Sequence, residues 1–107
     1  MAPGAWAVGP YQTNQSNRVS FFYLSGTSMA SPHVAGIVAL MSEKAKRSGG
    51  SLTASQAEGF LEAAAAKSGL AKEGCATVIR EAEEQCWKAD AVGSGFVTAD
   101  AALAEMP

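Results

Sequence analysis

Residues Gly26-Thr27-Ser28-Met29-Ala30-Ser31-Pro32-His33, G-T-S-M-A-S-P-H, set a serine at the mouth of an apolar segment. Downstream, Val34, Ala35, Ile37, Val38, Ala39, Leu40 and Met41 run without polar interruption, which predicts a helix buried on most of its sides. Pro32 fits only the first turn of such a helix, where its missing N–H breaks nothing, so the helix should begin close to Thr27 or Ser28. Gly26 lets the chain turn tightly, and small Ala30, Ser31 and Ala35 let neighbouring backbone come close. The first amides of a helix have no intrahelical partner and sit at the positive end of its dipole. They favour the charge that develops when an alkoxide attacks a carbonyl, so Ser28 is a candidate nucleophile. Its plainer reading is a helix cap, a place serine favours whatever the function.

Working outward, Ala2 to Val8 is rich in small residues and reads as a strand end in which Ala5, Trp6, Ala7 and Val8 cross the core of an α/β sheet. Gly9 to Arg18, with Pro10, Asn14 and Asn17, reads as a polar loop. Val19 to Leu24 is rich in β-formers and reads as a short extended piece leading to Ser25 and Gly26. The helix from Ser28 should run to about Lys46. It is ended by Arg47, Ser48, Gly49 and Gly50, with Lys44, Lys46 and Arg47 complementing its C-terminal dipole. Thr53 and Gln56 have capping-box spacing, and Ala57, Phe60, Leu61 and Ala64 recur at helical intervals until Gly69. The apolar face of that second helix needs a partner, for which the first helix is the nearest candidate. Thr98 to Glu105 reads as a short closing helix capped by Thr98.

Together these stretches resemble the subtilisin-like serine peptidases, the subtilases. Ser25 to Gly36, S-G-T-S-M-A-S-P-H-V-A-G, is similar to the nucleophile segment of that family. Ala2-Pro3-Gly4 is similar to its A-P-G, and Gly93-Ser94-Gly95-Phe96-Val97-Thr98-Ala99 to its closing G-x-G-x-v-x-A. The resemblance runs from Ala2 to about Ala104 and weakens between about Ala63 and Val92. It implies a serine endopeptidase in which Ser28 attacks a peptide carbonyl, the substrate is a polypeptide, and an acyl-enzyme is hydrolysed by water. Ser25, Gly26, Thr27 and Met29 would lie at the oxyanion and the substrate carbonyl. The implied fold is a three-layer α/β/α domain with a mainly parallel sheet. Residues 1–107 would form its C-terminal third, comprising the nucleophile helix, a second helix, short strands and the closing helix, with residues 71–92 as a variable insertion.

Serine catalysis needs a general base within hydrogen-bond reach and a third group to orient it. The only histidine, His33, follows Ser28 by five residues on one helix, about 7.5 Å along the axis and about 140° around it, the wrong place for a base. By resemblance it matches the family's structural histidine, and it reads as a buried, satisfied one. Asp90 and Asp100 are the acids that could be proposed for a triad, but Asp100 resembles a structural position in the closing helix. The H-G-T and D-T-G segments of the family, and its oxyanion asparagine, have no counterpart here. The chain alone is therefore expected to be close to inert and to need the upstream part of the same peptidase domain as its partner. The alternative is a non-catalytic remnant or binding module that keeps the helix framework. With the upstream strands removed, the chain is also expected to be poorly folded or to aggregate.

Cys75, Val78, Ile79, Ala82 and Cys86 fall on one helical face, with Glu73, Glu81, Glu83, Glu84 and Lys88 on the other. On a continuous helix the two sulfur-bearing residues stand about 16 Å apart, beyond the reach of a disulfide. One reading is two small buried thiols. The other is a hairpin or broken helix closed by a Cys75–Cys86 bond, favoured by the extracellular habitat usual in the family. No further ligand set accompanies them, so zinc is not expected.

The composition, 48% hydrophobic and 17% charged with a net charge of −2, suits one small globular domain or less. It carries no electrostatic footprint for nucleic acid or an anionic membrane, and no apolar stretch is long enough to span a bilayer. No cofactor is visible in the sequence, and the resemblance leaves room for calcium in the full-length family domain. The resemblance implies an exported, extracellular protein, although the sequence shows no signal peptide.

Overall fold

A computed structural model describes residues 1–5, 7–12, 19–78 and 82–107. In chain order they form β1 (Ala7–Gln12), β2 (Val19–Leu24), α1 (Thr27–Arg47), α2 (Ala54–Ala66), β3 (Gly74–Val78), β4 (Glu83–Trp87), a 3-10 turn at Ala89–Ala91 and α3 (Ala99–Glu105). β1 pairs antiparallel with β2, from Ala7 opposite Leu24 to Gln12 opposite Val19, and β3 pairs antiparallel with β4. Among the described residues each sheet has two strands.

The punctuation of α1 follows its terminal residues. At its C-terminus the Gly50 amide donates to Ala45 O at 2.9 Å and the Gly49 amide to Lys46 O at 3.0 Å, the paired bonds of a Schellman cap with Gly49 at φ 78°. At the start of α2 the Thr53 hydroxyl accepts from the Gln56 amide while the Gln56 side chain accepts from the Thr53 amide, the capping box that the spacing predicts. α2 ends at Ala66, three residues before Gly69.

The core gathers Ile37 and Met41 of α1, Ala57, Ala64 and Ala65 of α2, Val97, Ala102 of α3 and Met106. α3 is the element on which both longer helices pack, so the main partner of α2 is α3 and not α1. Lys44 lies with Lys46 and Arg47 in the last turn of α1 as expected, and its Nζ also donates to Leu103 O at 2.8 Å, which closes the carbonyl end of α3. Thr98 precedes α3 but gives no side-chain cap to an amide. Its hydroxyl donates instead to the Asp100 carboxylate, which together with the Ala101 amide holds that carboxyl below its ordinary pKa.

Four further expectations are corrected. α1 is buried on one face, at Ile37 and Met41 with Val34, Val38 and Ala45 beside them, while Ala35, Gly36, Ala39 and Leu40 are exposed. An all-round apolar sequence buries only the sides that neighbours cover, and α2, α3 and Ala2 cover one. Gly9 to Gln12 continues β1 instead of opening a loop, because its backbone pairs with Val19 to Phe22. Asn14 and Asn17 lie outside the described residues. Ala5 and Val8 are exposed and cross no core, with Val8 57% accessible, since among the described residues β1 pairs with β2 alone; Trp6 lies outside the described residues.

The fourth correction concerns residues 71–90. They carry no α-helix among the described residues but the β3–β4 hairpin, in which Cys75 opposes Cys86 and the two are bonded with their Cα atoms 4.0 Å apart. Both are exposed, so the reading as buried thiols fails. Ala82, at φ 51°, turns the chain back into β4, and Ile79 lies outside the described residues. The Trp87 indole rests against Gly74 and its Nε1 donates to Ala71 O at 3.0 Å, which ties the open end of the hairpin to the chain that enters it.

Candidate active site

Ser28 occupies the second residue of α1 and is exposed. The geometry around it is set by three backbone contacts. The Gly26 amide donates to Gly4 O at 2.7 Å, and Gly26 O accepts from the Met29 amide at 3.0 Å and the Ala30 amide at 3.2 Å. Among the described residues this leaves the Thr27 and Ser28 amides without a backbone acceptor. They lie in the first turn of a 21-residue helix and carry the positive end of its dipole. The arrangement can stabilise an anion developing beside the Ser28 hydroxyl.

Gly4 explains how the Ala2-Pro3-Gly4 stretch serves this turn. A Cβ at residue 4 would lie 2.8 Å from Gly26 O and 2.9 Å from the Ala30 Cβ, so only glycine allows the approach. The spacing of residues within the chain gave no sign of this contact; the A-P-G resemblance is the only sequence signal of it. Gly95 does the same at the other end of the core. At φ 131° it packs where a Cβ would come 2.2 Å from Ala65 O, while Gly95 O accepts from the Met1 nitrogen at 2.6 Å and the Val97 amide donates to Met1 O at 2.9 Å. The three stretches that carry the resemblance are thus brought together: the A-P-G stretch on the first turn of α1, and the closing G-S-G beside the segment that leads into it.

The remaining site residues sit apart from Ser28. His33 is exposed, correcting the expectation of burial, and is satisfied within its own helix, where Nδ1 donates to Met29 O at 2.7 Å. Asp90 is exposed in the 3-10 turn and Asp100 accepts from Thr98. Among the described residues no hydrogen bond links Ser28 to His33, Asp90 or Asp100. Met29 is half-buried, with its Sδ 3.9 Å from the place a Gly26 Cβ would take. A cavity of about 430 Å³ lies between the first turns of α1, at Thr27, Ala30 and Ser31, and the segment Val92 to Ser94; Ser28 does not line it.

The group of metal-ligand type among the described residues is Cys75, Glu84 and Cys86, whose sulfurs are already bonded to each other. That donor set does not suit calcium, which takes oxygen ligands. No helix among the described residues is long and apolar enough to cross a membrane.

The model of the subtilase family matches residues 1–92. The chain belongs to the subtilase family. Among curated relatives, it is 43% identical over 44 residues to the subtilisin-like protease SBT2.2 of Arabidopsis thaliana, a match covering 41% of this chain and 5% of the relative. It is 42% identical over 45 residues to thermitase of Thermoactinomyces vulgaris, covering 42% of this chain and 14% of the relative. The chain therefore spans a small part of the length of these relatives. No solved structure gives a significant match.

Proposed function

We propose that this chain is the nucleophile-bearing part of an exported serine endopeptidase, completed by the upstream part of the same domain. The observation that carries the reading is the exposed Ser28 in the first turn of α1, where among the described residues the Thr27 and Ser28 amides have no backbone acceptor. In the completed site Ser28 Oγ attacks a peptide carbonyl and a histidine from the upstream part takes its proton. The Ser28 amide holds the oxyanion, with Ser25, Gly26 and Thr27 shaping the backbone beside the substrate and Met29 flanking it. Water then releases the acyl group. In subtilisin, the reference for these magnitudes, loss of the histidine costs on the order of 10⁶ in turnover. One oxyanion donor there is worth roughly 10² to 10³. A chain whose described histidine and aspartates supply no base to Ser28 is close to inert.

The surface supports the same reading. The accessible area is 7657 Å², against about 5600 Å² for a compact protein of this mass. The excess, about 2000 Å², is the size of a large interface. It includes Leu40 at 47% and Phe21, Tyr23 and Leu24 at 74, 62 and 41% exposure. The upstream strands would cover these residues and complete a three-layer α/β/α domain with a mainly parallel sheet.

A fluorophosphonate probe tests the assignment. Labelling of Ser28 only when the upstream segment is joined or added supports it. No labelling under either condition would instead make the chain a non-catalytic remnant or binding module that keeps the helix framework.

A further inference from the structure

The β3–β4 hairpin is not used by the proposed chemistry, and its disulfide lies in the open. Cys75 and Cys86 face each other at directly opposed positions, and both are exposed. Among the described residues β3 and β4 pair only with each other, and a two-stranded ribbon alone is marginal in water. Among the described residues its other ties lie at one end, where Trp87 donates to Ala71 O and Lys72 Nζ donates to Gly93 O at 2.8 Å. Alternation along β4 sets Glu84 on the face of Cys86, and its carboxylate and both sulfurs lie within 4.8 Å of one another.

We propose that Cys75–Cys86 is a thiol–disulfide exchange site open to soluble thiol reductants, and that the Glu84 carboxylate slows anionic attackers. With a dithiol, one thiolate attacks one Sγ and forms a mixed disulfide, while the other cysteine leaves as a thiolate and takes a proton from solvent. The second thiol of the reductant, deprotonated, then attacks its own sulfur in the mixed disulfide. A cyclic disulfide leaves and the remaining cysteine is freed as a thiolate that protonates. Two electrons pass to the protein, and one disulfide becomes two thiols. Exposure sets access to the sulfurs, and the charge at Glu84 sets the encounter with a negative attacker. The hairpin then loses the closure that holds its strands in register.

The test uses the oxidised 107-residue chain, reduced by dithiothreitol with and without guanidinium and quenched by alkylation for mass spectrometry. Reduction without denaturant is expected within about ten-fold of the rate in guanidinium, because access already exists. Glu84→Gln is expected to raise the rate with glutathione, whose thiolate form is doubly negative, about two- to four-fold at low salt. The rate with cysteamine, whose thiolate form has no net charge, should not rise, and 1 M salt should erase the difference. Hydrogen exchange should show protection of residues 74–78 and 83–87 in the oxidised chain, lost on reduction while α1, α2 and α3 keep theirs. Reduction more than ten-fold slower without denaturant, a glutathione rate unmoved by Glu84→Gln, or an oxidised hairpin without protection would each overturn the proposal.

Discussion

Two glycines join the stretches from the ends of the chain to its helices, and each does so by lacking a side chain. Gly95 sits at φ 131° with Ala65 O where a Cβ would go. Gly95→Ala should lower stability by about 2 kcal/mol or more, read as a drop in the urea midpoint, since strain and a backbone clash combine. Asp100 gives a pH dependence of known sign. Its carboxyl is held below its ordinary pKa chiefly by the Thr98 hydroxyl and then by the Ala101 amide. A depressed folded pKa contributes stability that is present above the unfolded value, about 3.9, and is lost as pH falls through the folded one. Melting temperature followed from pH 6 to pH 2 should therefore fall less at the acid end in Asp100→Asn than in the parent chain. At this scale the place of Ser28 at the start of α1 was legible, because a dense local motif surrounds it. The exposure of His33 was not, because burial depends on elements distant in sequence.

Helices with local signals were read closely from the sequence. α1 begins at Thr27 and stops at a glycine cap, and α2 starts behind the Thr53 and Gln56 box. Thr53→Ala should cost about 1 kcal/mol, measured by the urea midpoint, because the Gln56 amide loses its acceptor. The β3–β4 hairpin was open to two readings, since Cys75, Val78, Ile79, Ala82 and Cys86 fit a helical face as well as they fit a ribbon. What decides it is a partner eleven residues away: Cys86 stands opposite Cys75. Closing a loop of this length contributes about 3 kcal/mol in the chain-entropy account. The same dependence on partners explains β1, where residues 9–12 carry loop composition yet pair with β2.

As a whole the molecule is a slab, 48 × 40 × 18 Å, with a radius of gyration of 16.8 Å against about 13 Å for a compact domain of this length. A core of alanines with Ile37, Met41, Val97 and Met106 holds three helices together, while the far side of α1 and Val8, Phe21, Tyr23 and Leu24 of the β1–β2 ribbon remain open to solvent. Such a surface favours association of like chains. Analytical ultracentrifugation at tens of micromolar should find oligomers, and Leu40→Lys with Phe21→Lys should shift the population toward monomer without loss of helical circular dichroism. The central claim is that Ser28 is built for acyl transfer while its proton acceptor belongs to another segment. Hydrolysis of casein by rigorously purified chain measures it most directly. The account predicts no turnover above background from the chain alone, and Ser28-dependent turnover once the upstream segment is joined; turnover by the chain alone that Ser28→Ala abolishes would contradict it.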